Sequence, residues 1–231
     1  RWIIVTLAYG QSANSQLMIG VSKTSNPTAG WWLYKIDVDA TNVNWLDYPN
    51  VGFNNKWITV TGNFYKISGG NAGSVIYVFN KASMMSGAGA PFTRILPSGF
   101  TLCPALTYDS ATSSMFLVDV FNGSTGKLRL RKLTGPVGSP VLSSVIGYPT
   151  SSTLWASQNN GGVDFARQLG TTNKIQTGDN RLTNLSLRNN KLWCAHTIFL
   201  PNTSNPTRSS VMWWQIDTLA NPIQNGKIDD P

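Results

Sequence analysis

Three stretches of this chain repeat one order of elements: an alternating apolar segment, a polar turn, a second apolar segment, then a third. In the first, Pro49-Asn50-Val51-Gly52-Phe53-Asn54 leads to Trp57-Ile58-Thr59-Val60 and then Val75–Phe79. The second runs from Pro104-Ala105-Leu106-Thr107-Tyr108-Asp109 to Phe116-Leu117-Val118-Asp119 and then Leu128–Leu133. The third is Thr183-Asn184-Leu185-Ser186-Leu187-Arg188, then Leu192-Trp193-Cys194-Ala195, then Val211–Ile216, and Trp31–Ile36 is the equivalent third segment of a copy that begins partway through. Short runs rich in β-branched and aromatic residues, bounded by turn residues, are strands. A recurring unit of about 40 to 50 residues with three or four strands is the pattern of a β-propeller blade. A β-sandwich, the competing all-β architecture, offers no reason for the repeat.

At 231 residues the expectation is one domain of about five blades over residues 1–231, with a fragment of a larger ring as the alternative. The spacing is uneven. Between Phe116 and Trp193 there is room for a further blade or a long insertion, and the echo of Leu192-Trp193-Cys194-Ala195 in Leu154-Trp155-Ala156 favours the blade. Helical turns are expected only at Lys81–Ser86 and near Ala166. The abrupt ends, Arg1-Trp2-Ile3 and Asp229-Asp230-Pro231, read as those of a mature or excised piece, truncated at both ends.

Charge narrows the function classes. The formal net charge is +8, yet Lys and Arg number only 18, so the excess arises from scarce acids and gives no nucleic-acid signature. Lys127, Arg129 and Arg131 alternate with Leu128 and Leu130, which reads as a solvent-facing strand, with a basic ligand stripe as the alternative. All 10 acidic residues are aspartates. The missing glutamate removes the usual general acid of propeller glycosidases. A hydrolase acting on polysaccharide through Asp47, Asp119, Asp164 or Asp217, or through an acid outside this chain, is therefore a secondary reading. No apolar run is long enough for a membrane span, and no motif calls for a cofactor or a metal. Cys103 and Cys194 read as buried free thiols, with one long-range disulfide as the alternative.

Trp45-Leu46-Asp47-Tyr48-Pro49-Asn50-Val51-Gly52 followed by Thr61-Gly62-Asn63-Phe64 resembles the D-Y-P-x-x-G … T-x-N-x-F signature of a family of secreted bacterial β-propeller proteins of unestablished activity, with Tyr65 at the position of the signature's final Phe. Further similar strings lie at Ser22–Thr28, Gln168–Thr172, Leu192–Thr197 and Arg208–Asp217, so the resemblance covers most of the chain. It implies an extracellular or cell-envelope location and supplies no catalytic residue.

With nine tryptophans and seven tyrosines the chain has more large rings than a propeller core requires. In Trp31-Trp32 and Trp213-Trp214 alternation puts one ring on each strand face, so exposed rings beside amides are expected to form a sugar-binding surface. The candidate contacts are Trp32, Trp45, Trp213 and Trp214, with Asp47 beside them; the competing reading packs these rings between sheets and binds Asp47 in a turn. Asp37-Val38-Asp39 has alternate oxygen ligands but lacks the remainder of a calcium loop, so it reads as a turn. His196, the single histidine, has no triad spacing and reads as a hydrogen-bonded structural imidazole. The sequons at Asn122, Asn184 and Asn202 carry little weight in so Asn-rich a chain. The expected function is a binding or structural module for glycan or protein ligands at the cell surface. Alternatives are the Asp-based hydrolase and a subunit of an extracellular assembly that self-associates through an unpaired edge strand.

Overall fold

The computed structural model describes residues 1–157 and 164–230. Its strands form separate antiparallel sheets, each built from consecutive chain. The first has β1 (Ile3–Ala8), β2 (Gln16–Ser22) and β3 (Trp31–Asp37). The second has β4 (Asn44–Phe53), β5 (Trp57–Lys66), β6 (Asn71–Asn80) and β7 (Phe92–Ile95), with helix α1 (Lys81–Ser86) between β6 and β7. The third has β8 (Cys103–Pro104), β9 (Met115–Asn122), β10 (Lys127–Thr134) and β11 (Val141–Leu142). A two-stranded ribbon of β12 (Ala166–Arg167) and β13 (Lys174–Ile175) precedes the last four-stranded sheet: β14 (Ser186–Arg188), β15 (Lys191–Leu200), β16 (Arg208–Asp217) and β17 (Pro222–Ile228). The three sequence repeats fall on β4-β5-β6, β8-β9-β10 and β14-β15-β16, and Trp31–Ile36 falls on β3. Lys81–Ser86 is helical as expected, whereas Ala166 lies in a strand.

The leading strands of three sheets lie side by side. Parallel bridges join Phe53 to Leu106 and Leu106 to Ser186, through Thr107 N–H to Phe53 O, Leu106 N–H to Leu185 O and Leu187 N–H to Leu106 O, each 2.9 Å. Leu106, two residues beyond β8, thus bonds directly to the β14 segment. Among the described residues, the long interval before Trp193 holds the two-stranded ribbon β12-β13 between the third sheet and the last. Residues 147–150 run beside β10, and Ala156 bridges Phe199 on β15.

Packing explains why β5 is buried along most of its length. A sheet covered on both faces needs buried side chains at successive positions and not an alternation with solvent. Ile58, Val60 and Phe64 pack with Leu17, Ile19 and Val21 of the first sheet, while Trp57 joins Leu117, Val118 and Leu130 of the third. The Trp57 face of β5 also carries polar ties. Thr61 donates its hydroxyl to Leu102 O (2.5 Å); Asn63 accepts the Thr101 N–H (2.8 Å) and donates to its hydroxyl oxygen (2.7 Å). The Thr-Gly-Asn-Phe string thus anchors the segment that leads into β8.

Gly52 sits where β4 meets β8, and a Cβ there would lie 2.5 Å from Ala105 O and 2.7 Å from Pro104 O. Those neighbours are backbone and cannot swing aside. Gly52→Ala is expected to cost roughly 1–3 kcal/mol in urea unfolding. Gly138, which has open space around its Cα, is the control, and Gly138→Ala is expected to be neutral or slightly stabilising. Equal stability of the two variants would contradict this close approach.

Arg129 and Arg131 correct the expectation of a solvent-facing strand, since both are buried. Arg129 makes a two-pronged contact with Asp119 (Nε–Oδ1 3.1 Å, Nη2–Oδ2 2.6 Å), and Arg131 donates to the carbonyl and hydroxyl of Ser98 (2.7 Å each). That face of β10 meets the chain entering β8.

Candidate functional site

Since β4, β8 and β14 run parallel at their junction, their C-terminal ends open on one side of the molecule and the segments leading into them lie on the other. Each side has a cleft. The larger, of about 1060 Å³, lies at the C-terminal ends and is lined by Leu106–Asp109, Ser186–Lys191, Trp193 and Gln215. It is framed by the β14–β15 hairpin, whose two-residue turn Asn189-Asn190 has both φ angles positive, 50° and 57°. That is the geometry of a type I′ turn, whose twist matches the flanking strands. The ladder pairs Ser186 with Trp193, Leu187 with Leu192 and Arg188 with Lys191. Alternation turns Leu187 and Leu192 into the core, so Ser186, Arg188, Lys191 and Trp193 share the cleft face. Gln215 pairs with Trp193 across the next ladder and extends that face.

Two aromatic rings are available to a ligand there. Trp193 is 40% exposed and Tyr108 88% exposed, with Tyr108 set edge-on to Phe53 at 5.2 Å. The one acid lining the cleft, Asp109, is occupied: Oδ1 accepts the Ala111 N–H (2.9 Å) and Oδ2 the Thr112 hydroxyl (2.9 Å).

The smaller cleft, about 430 Å³, lies on the opposite side, among Phe100, Thr101, Phe121, Asn122 and Asp179–Arg181. Arg181 lies over the rings of Tyr48 (4.7 Å) and Phe100 (5.0 Å) and pairs with Asp179 at 3.0 Å. The charged pair of this cleft, Asp179 and Arg181, is thus already engaged with itself and with the two rings. Behind it, His196 Nε2 accepts the Trp214 indole N–H (3.3 Å), and its Nδ1 faces the carbonyls of Asn180 (3.0 Å) and Thr197 (3.1 Å). Indole only donates and carbonyls only accept, so the neutral ring carries its proton on Nδ1. Burial lowers the His196 pKa to about 4, against the opposing pull of the two carbonyls.

The five contacts expected from sequence are spread over three sheets, and none lines either cleft. Trp32, on β3, packs over Gly87 with Lys23 Nζ 4.2 Å from its ring centroid. Trp45 stacks on Tyr65 at 5.2 Å. Asp47 lies at a β-bulge, where its Oδ1 accepts the Tyr48 N–H (2.8 Å) and Tyr48 takes a positive φ of 55°. Trp213 covers Gly226. Trp214 is fully buried and edge-on to Trp155 at 6.2 Å, so it has no face left for a ligand. Trp193 is a cleft-lining ring not among those five, and its alternation with buried Leu192 and Cys194 places it outward.

Most other acids are engaged. Burial pushes the Asp119 carboxyl above its usual range, opposed by Arg129. Asp39 accepts from Thr41 and Asn44, Asp217 accepts from Leu219 and Asn221, and Asp229 is held by Arg208 and Lys227. In Asp39 and Asp217 burial pushes the carboxyl up, but these hydrogen bonds outweigh it and lower the pKa. Asp164 Oδ1 has no partner among the described residues, beside residues 158–163, which lie outside the description. Cys103 and Cys194 are free and buried, and burial pushes the Cys103 thiol up to about 12. Among the described residues no three His, Cys or Asp side chains converge as a metal site, and no helix is long and apolar enough to cross a membrane.

No protein-family model matches the chain, and no curated protein matches it. A solved structure of a thermostable family-43 glycoside hydrolase aligns with 99% of this chain and 69% of that chain at 12% identity, with a TM-score of 0.39. A similarity of that size assigns neither fold nor activity.

Proposed function

We propose that this chain is a β-propeller module, displayed outside the cell, that binds carbohydrate in the cleft at the C-terminal ends of β4, β8 and β14. The propeller reading is supported by parallel leading strands, two of which head four-stranded antiparallel sheets in chain order while β4 heads another. The signature carried by Asp47-Tyr48-Pro49, Gly52, Thr61 and Asn63 supports the extracellular location. The observation that carries the function is the pairing of exposed Trp193 and Tyr108 with the amides of Asn189, Asn190 and Gln215 in one cleft. A pyranose ring presents C–H faces to an aromatic surface while its hydroxyls exchange hydrogen bonds with amides.

A glycan array followed by calorimetry tests this. Trp193→Ala is expected to weaken the best ligand at least tenfold, about 1.4 kcal/mol or more, with Tyr108→Ala weaker in effect. Trp193 is partly exposed, so both variants should keep the wild-type circular dichroism spectrum. An array without hits for soluble monomeric protein, or a hit indifferent to both substitutions, refutes the assignment.

A further inference from the structure

The β14–β15 hairpin contains a local conflict that a ligand would relieve. Its tight turn pairs Arg188 directly with Lys191, on the face that lines the cleft. Like charges set opposite each other on an antiparallel pair destabilise it, and only 12% of the residues in this chain are charged at all. Neither cation has an ion-pair or side-chain hydrogen-bond partner among the described residues. Lys191 is also paired across the next ladder with Asp217, whose carboxylate accepts the Leu219 and Asn221 N–H groups at 2.9 and 2.8 Å and feels the Lys191 charge without a direct ion pair. Asp109, the acid within the cleft, is similarly occupied. The cleft face therefore sets two cations opposite each other with no direct ion pair to either, two residues along the same face from an exposed indole, while the nearby carboxylates of Asp109 and Asp217 direct their oxygens to other donors.

We propose that the ligand is an anionic saccharide, with a carboxylate or sulfate bound by Arg188 and Lys191 while a sugar ring stacks on Trp193. This rests on the carbohydrate reading of the same cleft and names its ligand class. Guanidinium binds either anion through parallel N–H donors, and the adjacent ammonium adds a second charge-assisted contact. The anion would replace the repulsion across the hairpin with two attractions.

The test compares polymers that differ only in charge: polygalacturonate against its methyl ester, and dextran sulfate against dextran. Binding to one anionic member should exceed that to its neutral counterpart by tenfold or more and weaken as salt rises. Because the protein is cationic overall, the decisive comparison is between two double variants with the same change in net charge. Arg188→Gln/Lys191→Gln should lose the anionic preference, whereas Lys35→Gln/Lys66→Gln, at exposed positions on β3 and β5, should retain it. Which anionic polymer binds identifies the group as carboxylate or sulfate. Equal binding of charged and neutral polymers that still depends on Trp193 overturns the anion assignment and leaves the carbohydrate reading standing. Equal losses in the two double variants also overturn it, since the attraction would then belong to the net charge. Failure of all four polymers to bind overturns the proposal; the array decides the carbohydrate reading separately.

Discussion

Asp119→Ala is expected to destabilise the protein by about 3–5 kcal/mol, the usual cost of removing one member of a buried ion pair. The carboxylate is buried between β9 and β10 and meets Arg129 at 2.6 and 3.1 Å. Arg131 projects from the same face of β10, two residues on, so its removal leaves two buried guanidinium groups without an acid. For a domain of this size the melting temperature should fall by on the order of 10 °C. The attraction within the pair itself offsets its desolvation only in part. The double variant Asp119→Leu/Arg129→Met should therefore recover most of the loss. A single-variant loss below about 1 kcal/mol, or a double variant as unstable as the single, would show that the pair is solvated.

Acidification should cost roughly 3 kcal/mol between pH 6.5 and 4 through His196 alone. Its native pKa of about 4 lies below the ordinary value of 6.5. Above 6.5 both folded and unfolded imidazoles are neutral, and the stability is fully present. As pH falls the unfolded chain takes up a proton that the native ring refuses, and the loss is complete once the native ring protonates near 4. The refusal has a structural cause: a proton on Nε2 would confront the Trp214 N–H that it now accepts. Urea unfolding at pH 7.0 and 4.5 measures the loss, and His196→Gln should abolish this part of the pH dependence. An imidazole resonance titrating near 6.5 in the native protein would refute it. The effect should also reach the smaller cleft, because Asn180, which bonds the ring, lines it.

Much of the scaffold is legible in the amino-acid order. The repeats predict β4-β5-β6, β8-β9-β10 and β14-β15-β16 because a strand is encoded by local alternation and turn residues. Lys81–Ser86 is legible for a similar reason: Asn80 caps its first turn by accepting the Ser83 N–H, and Gly87 takes the left-handed conformation at its end. Alternation also assigns Trp213 and Trp214 to opposite faces. It cannot state which face meets another sheet. That is why Arg129 and Arg131 read as solvated, and why Trp214 read as exposed although it is buried.

What the sequence determined by itself is therefore local: strand positions, the polar turns between them, and the absence of glutamate with the mechanisms it disfavours. Tertiary structure decided what depends on distant neighbours. It bonded Leu106, just beyond β8, both to Phe53 at the end of β4 and to the β14 segment. It placed Trp155 against Trp214 and His196, bound most aspartates to turns or arginines, and brought Tyr108 and Asn189 from distant repeats into one cleft. Period-two alternation is written into each strand, but burial depends on which sheet face another segment covers, and that is settled only when strands from distant parts of the chain meet.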